Sequence, residues 1–135
     1  MRTPQRWTKR LAVTLAAFAS LVGVSTIVTP AADASVHSSC TISRCSAARS
    51  ADTTWESKNY PGSRGWYSWP NGQCNFAGGT YNNLEAELPN GHSYREFDVY
   101  PRTCGASRDA YRIVVDLTAG VTYFSPDHYT NFYRL

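Results

Sequence analysis

Alternating apolar and polar positions dominate the second half of the chain. Over residues 93–100, Phe97 and Val99 fall on one face and Tyr94, Glu96 and Asp98 on the other, the two-residue period of a strand with one buried side. Residues 111–117 repeat the pattern, separating Arg112 and Val114 from Ile113 and Val115. Residues 121–124 and 129–135 predict two more strands. Asn90-Gly91 marks a turn before the first of these strands, and Ala119-Gly120 one between the second and third. No connection is long enough for a crossover, so antiparallel hairpins are expected, with Glu96 and Arg112 on the open side of a sheet packed on one face. Upstream the pattern changes. Residues 60–80 are punctuated by Pro61-Gly62, Gly65, Pro70-Asn71-Gly72 and Gly78-Gly79, which reads as loops and turns carrying Tyr60, Trp66, Tyr67 and Trp69. Residues 35–54 are rich in Ser, Ala and Thr, with one short helix predicted near residues 47–55. The picture is a small α+β domain, or a nearly all-β one if the helix does not form.

The N-terminus obeys another logic. Arg2, Arg6, Lys9 and Arg10 precede a mostly apolar, uncharged run over residues 11–28, and Ala32-Asp33-Ala34 fits a small-x-small cleavage site. Residues 1–34 are therefore expected to be a signal peptide, and residues 35–135 one exported, extracellular domain. The competing reading is a membrane anchor, which the Thr and Ser residues of the run and the cleavage pattern disfavour. All of the chain's formal charge of +3 belongs to that leader. Residues 35–135 balance nine basic against nine acidic side chains. That excludes a diffuse polycationic clamp on nucleic acid, so any anion site must be local. Cys40, Cys45, Cys74 and Cys104 all lie in the exported part and read as two disulfides, whose pairing the sequence leaves open. Their spacing does not form the paired CxxC knuckles of a zinc site.

The polar residues on or beside the predicted strands are Glu85, Glu96, Arg108, Arg112 and His128. A carboxylate, an imidazole and two guanidiniums suit in-line phosphodiester chemistry. The carboxylate takes the proton of a ribose 2′-hydroxyl, the imidazolium gives one to the departing 5′-oxygen, and the guanidiniums neutralise the phosphate. The 2′-hydroxyl makes the substrate RNA. Taken singly, each residue also reads as an ordinary surface or turn residue; only their order together is informative. A different function class is a non-catalytic exported module binding through Trp55, Trp66, Trp69 and the tyrosine-rich loops, since sixteen residues between 35 and 135 are aromatic.

Four segments in sequence carry a resemblance. They are Gly78-Gly79-Thr80-Tyr81-Asn82-Asn83-Leu84-Glu85 with Leu88-Pro89, then Tyr94-Arg95-Glu96-Phe97-Asp98-Val99, Arg108-Asp109-Ala110-Tyr111-Arg112-Ile113-Val114, and Asp127-His128-Tyr129-Thr130-Asn131-Phe132. In this order and near this spacing they resemble the microbial guanyl-specific ribonucleases, the group that includes barnase and the streptomycete enzymes. The resemblance implies a short N-terminal helix packed on a twisted antiparallel β-sheet, a monomer, and no metal or other cofactor. It implies cleavage of single-stranded RNA after guanosine, through a 2′,3′-cyclic phosphate to a 3′-phosphate. It assigns Glu96 as general base, His128 as general acid, and Arg108 and Arg112 to the scissile phosphate. Glu85 would accept from guanine, within a recognition loop containing Asn82, Asn83 and Leu84, and Tyr129 would lie beside base and phosphate. Tyr81 and Tyr129 are also candidates to stack on base or ribose. Leu84 stands where well-known relatives carry arginine. That bears on affinity for RNA and for an intracellular protein inhibitor, a partner compatible with the reading. Some relatives place a helical lysine near the phosphate, and Lys58 is not convincingly its equivalent.

Overall fold

The computed structural model describes Gly23 and residues 36–135. The expected signal peptide, residues 1–34, lies outside the described residues apart from Gly23. Seven strands and one helix follow in chain order: β1 (Val36–His37), α1 (Cys45–Ser57), β2 (Gly65–Trp69), β3 (Gln73–Tyr81), β4 (Tyr94–Asp98), β5 (Arg112–Asp116), β6 (Val121–Ser125) and β7 (Phe132–Arg134). One sheet holds them in the order β1-β7-β6-β5-β4-β3-β2. Every neighbouring pair is antiparallel except β1 with β7, so the fold is α+β on a mixed sheet. The exception is a two-residue parallel pairing that the hairpin pattern downstream could not signal.

The helix forms where the sequence places it but is longer, because Cys45 is tied back to Cys40 by a disulfide at its first turn. Ala48, Ala51 and Trp55 recur at helical spacing and are buried. They meet Ala77, Phe97, Val99, Ile113, Val115 and Phe124 in the main core. Trp55 is fully buried and its Nε1–H donates to the Asp98 carbonyl at 2.9 Å. Replacing such a residue by Ala typically costs about 3–5 kcal/mol. Asn75 Nδ2 donates to the same carbonyl and to that of Val99, so the end of β4 is fixed from two sides.

The alternation read from the sequence holds across β4 and β5. Phe97, Val99, Ile113 and Val115 face the helix, while Tyr94 and Val114 join a second cluster with Tyr81, Leu88, Tyr123 and Phe132. Residues 60–80 depart from the expectation, since β2 and β3 run through them. Aromatics occupy both faces of β2: Tyr67 and Trp69 pack on Trp55, while Trp66 pairs with Phe76 on the other side. No polar–apolar alternation results. The glycine pair reads as a turn but is a bulge, the β3–β4 register shifting between Ala77 and Gly79 with Gly79 in the left-handed region at φ 76°. Pro70-Asn71-Gly72 does turn the chain between β2 and β3. The predicted strand over residues 129–135 begins only at Phe132. The second disulfide joins Cys74 at the start of β3 to Cys104 in the loop that carries Arg108. No helix among the described residues is long and apolar enough to cross a membrane.

Candidate active site

The face away from the helix carries the polar residues, and the period of β4 puts Glu96 and Asp98 there together. Asp98 is fully buried and receives the arginines. Arg108 grips it with Nε–H to Oδ2 at 3.0 Å and an Nη2–H to Oδ1 at 2.6 Å. Arg112 Nη1 lies 3.2 Å from the same Oδ1, and Arg102 Nη2 lies 3.9 Å from Oδ2. Asp109 continues the network, accepting from Arg102 at 2.8 Å and approaching Arg112 at 3.5 Å. Burial disfavours the charge of Arg108, but the bonds and charge of Asp98 outweigh it and strengthen its hold on the proton. Its guanidinium also lies over the Phe76 ring, 4.0 Å from the centroid. A bidentate grip fixes a guanidinium plane, so Arg108 is oriented before substrate arrives, while Arg112 is held through Nη1 by Asp98, Asp109 and the Tyr111 carbonyl.

Glu96 sits one register step along. Its carboxylate rests on the bulge at Gly78, where a Cβ would lie within 2.6 Å of its carboxyl carbon. The Tyr129 hydroxyl donates to Oε2 at 2.5 Å, and Arg64 Nη1 lies 3.9 Å from Oε1. Burial first, then the Glu96 bond and charge, push the Tyr129 phenol well above its usual pKa, so it stays a donor. The Tyr129 ring lies 4.7 Å from that of His128 and 4.9 Å from that of Tyr81. Tyr129 thus touches both candidates, its hydroxyl on the Glu96 carboxylate and its ring against the imidazole of the preceding residue, His128. His128 is exposed, and both it and Tyr129 have positive φ, 52° and 73°. That strained pair is held by His128 N–H to the Ala110 carbonyl, Tyr129 N–H to Ser125 Oγ, and Asp127 accepting from Asn131.

The recognition-loop candidates line a cleft of about 280 Å³ with Glu96, Tyr129 and Arg64: Tyr81, Asn82, Asn83, Leu84 and Glu85 all border it. Leu88 fastens this loop to the second core. Asn83 works inward, its amide bonding the Leu88 carbonyl and N–H at 2.8 and 3.1 Å, so it holds the loop's shape. Glu85 and Asn82 are exposed and Leu84 stands 83% in solvent. Burial, with the charges of Glu85 and Glu96, pushes the Tyr81 phenol up to about 12.

Among the described residues, the buried side-chain polar atoms without a hydrogen-bond partner are Tyr81 Oη and Arg112 Nε. Each such omission costs about 1–3 kcal/mol; Tyr81 borders this cleft and Arg112 belongs to the arginine cluster on Asp98. Sequence reasoning missed Asp98 and Arg64. Asp98 shares a face with Glu96 two residues away, which was a usable signal. Arg64 precedes a strand that the sequence hid. Lys58 lies over Trp69 on the helix side, away from Glu96. Trp55 and Trp69, named for a binding-module reading, pack into the core.

A family model described as ribonuclease matches residues 29–135. No curated protein and no solved structure gives a significant match.

Proposed function

The chain belongs to the ribonuclease family and cleaves RNA, and on that premise we propose that it is an exported, metal-independent endonuclease cutting single-stranded RNA after guanosine. The observation that carries the reading is the convergence around Tyr129: the Glu96 carboxylate at its hydroxyl, His128 against its ring, and the unpaired Arg112 Nε in the adjoining arginine cluster.

In this mechanism Tyr129 holds Oε2 of Glu96, and Oε1 takes the proton of the 2′-hydroxyl. The 2′-oxygen attacks phosphorus. Arg108 and Arg112, held by Asp98, neutralise the charge that grows on the phosphoryl oxygens. Protonated His128 delivers its proton to the departing 5′-oxygen, leaving a 2′,3′-cyclic phosphate. Water then opens the ring with the two groups in exchanged roles, giving a 3′-phosphate. Glu85 accepts both the N1–H and the amino N–H of guanine. Adenine lacks that donor pair and would leave the carboxylate desolvated without partners, the stronger form of discrimination. The Tyr81 ring borders the same cleft. Two disulfides support the exported reading, as does the basic and apolar leader.

The test is turnover of GpC, ApC, UpC and CpC in EDTA. GpC is expected to react fastest by at least two orders of magnitude. Equal rates on all four would overturn the guanosine assignment, and dependence on added metal would overturn the mechanism. A second measurement addresses the acid: kcat/KM of the wild type follows a bell in pH, and His128→Ala loses the limb on the alkaline side.

A further inference from the structure

The cleft does not end at Glu96. Arg64, at the foot of β2, is held over it by an Nη1–H bond to the Gly78 carbonyl at 3.2 Å and by packing over Phe76, 5.0 Å from the ring centroid. Its side chain is 61% exposed, and its nearest carboxylate oxygen is that of Glu96 at 3.9 Å. Two residues on, Trp66 lies on the same face, paired with Phe76 across β2 and β3 with ring centroids 5.2 Å apart at 75°. Trp66 is half-buried. The core does not need this tryptophan: Tyr67 and Trp69 of the same strand supply the helix side. An exposed cation followed by an aromatic surface, continuous with a phosphate-binding site, has the composition of a single-strand nucleic-acid track, where arginine meets phosphate and a base stacks on the ring.

We propose that Arg64 and Trp66 form a subsite for the nucleotide immediately 5′ to the cleaved one, Arg64 contacting the linking phosphate and Trp66 stacking on the base. The inference rests on the reading of Glu96 and His128 given above. In the sheet, β3, β4 and β5 separate β2 from the β6–β7 loop. His128, in that loop, protonates the 5′-oxygen that joins the downstream nucleotide, so the RNA beyond the cut departs on the His128 side. Arg64 borders the opposite, Oε1 side of Glu96, where the 2′-hydroxyl and the upstream part of the chain lie. Stacking is indifferent to base identity, so the subsite adds affinity for RNA length without adding sequence preference.

The experiment compares kcat/KM at one bond in three contexts: a dinucleoside phosphate, the same unit extended by one nucleotide upstream, and the same unit extended downstream. The dinucleoside phosphate is the one that the enzyme cleaves fastest. Failure of guanosine selectivity then shows in which one that is, and not in the extension gain. For the wild type, upstream extension is expected to raise kcat/KM about tenfold, the scale of one base stack, and downstream extension to raise it less. Measured against each variant's own dinucleotide rate, Trp66→Ala loses the upstream gain, Trp66→Phe keeps most of it, and Arg64→Gln reduces it and weakens its salt dependence. An upstream gain that survives Trp66→Ala overturns the proposal, as does its absence in the wild type. A gain confined to downstream extension and abolished by Trp66→Ala overturns the 5′ assignment.

Discussion

Gly78 is the sharpest probe of the proposed chemistry, because it touches the base sterically and leaves every charge in place. Its φ lies outside the left-handed region, so alanine meets no backbone penalty there. The added Cβ would lie 2.5 Å from Cγ and 2.6 Å from Cδ of Glu96, where ordinary contacts run 3.4–4 Å. The carboxylate must therefore retreat by about 1 Å, a displacement that typically costs ~10²-fold in rate when it separates a catalytic group from its proton. Stability changes less. Overpacking costs about 1–3 kcal/mol, offset by about 0.4–1 kcal/mol because alanine restricts the unfolded chain more than glycine does. Gly78→Ala should lower kcat on GpC about 10²-fold with KM little changed, while thermal unfolding stays cooperative. The control is the double variant with Glu96→Gln. If Gly78→Ala acts by moving the base, it should cost almost nothing further once the base is gone. A kcat within threefold of wild type, or the same penalty with glutamine at 96, would refute the assignment of Glu96 as a base seated on the bulge.

Other perturbations test other parts. Asp98→Asn removes the buried charge between Arg108 and Arg112; chemical denaturation should show a loss of about 3–5 kcal/mol, and kcat/KM should fall more steeply than for a surface carboxylate variant such as Glu56→Gln. Replacing Cys74 and Cys104 together by serine opens a 30-residue loop; denaturant titration should show about 3–4 kcal/mol lost. Two carboxylates outside the site, Asp116 at the end of β5 and Asp52 on α1, give opposite pH signatures. At Asp116 burial works against ionisation, but the His92 ring and the N–H groups of Ala119 and Thr118 prevail and hold the carboxyl below its usual pKa. It contributes stability above the ordinary Asp value near ~3.9, and that contribution is lost as pH falls through the lower folded value; Asp116→Asn should destabilise at pH 7 and converge on wild type in acid. Burial raises Asp52 despite its bonds from Tyr60 and Thr122. Asp52→Asn should therefore stabilise at pH 7, with the gain shrinking as pH falls through the raised folded value toward the ordinary one.

The parts of the fold that one-sided burial governs were legible in the sequence. β4 alternates because one face meets the helix core and the other carries Glu96 and Asp98, whereas β5 is buried at all five positions, with Ile113 and Val115 on the helix core and Val114 in the second cluster. Where both faces are apolar, as at Trp66, Tyr67 and Trp69, alternation vanishes and β2 hides among its turn residues. β3 hides for a different reason: Gly78 and Gly79 are there for the carboxylate and the bulge, and a glycine pair carries the same letters in a turn. The site divided in the same way. Glu96, Arg108, Arg112 and His128 could be named because each carries a group with recognisable chemistry. Asn83 could be placed in the loop but not oriented, because an amide that closes a loop and one that reads a base have the same composition. Arg64 could not be placed at all, since it depends on a strand pairing.

Asp98 explains how a domain with balanced charge can handle a polyanion. Burying a carboxylate is unfavourable, and a hydrophobic residue of like volume would give comparable stability. What the carboxylate adds is orientation. Three arginines converge on it, within 2.6, 3.2 and 3.9 Å. Without it, like charges this close would splay into solvent and neutralise a phosphate only by first reorganising. With it, Arg112 is nearly buried and still has Nε unpaired. Against three arginines, Asp98 and Asp109 leave one formal positive charge, which limits indiscriminate anion binding, and Arg108, with 21% of its side chain exposed, keeps the accessible part of that charge fixed in place. That predicts an asymmetry between ground state and transition state: Asp98→Asn, by freeing positive charge, should tighten binding of a non-cleavable oligonucleotide while slowing cleavage. If binding and cleavage fell in parallel, Asp98 would be a structural carboxylate alone.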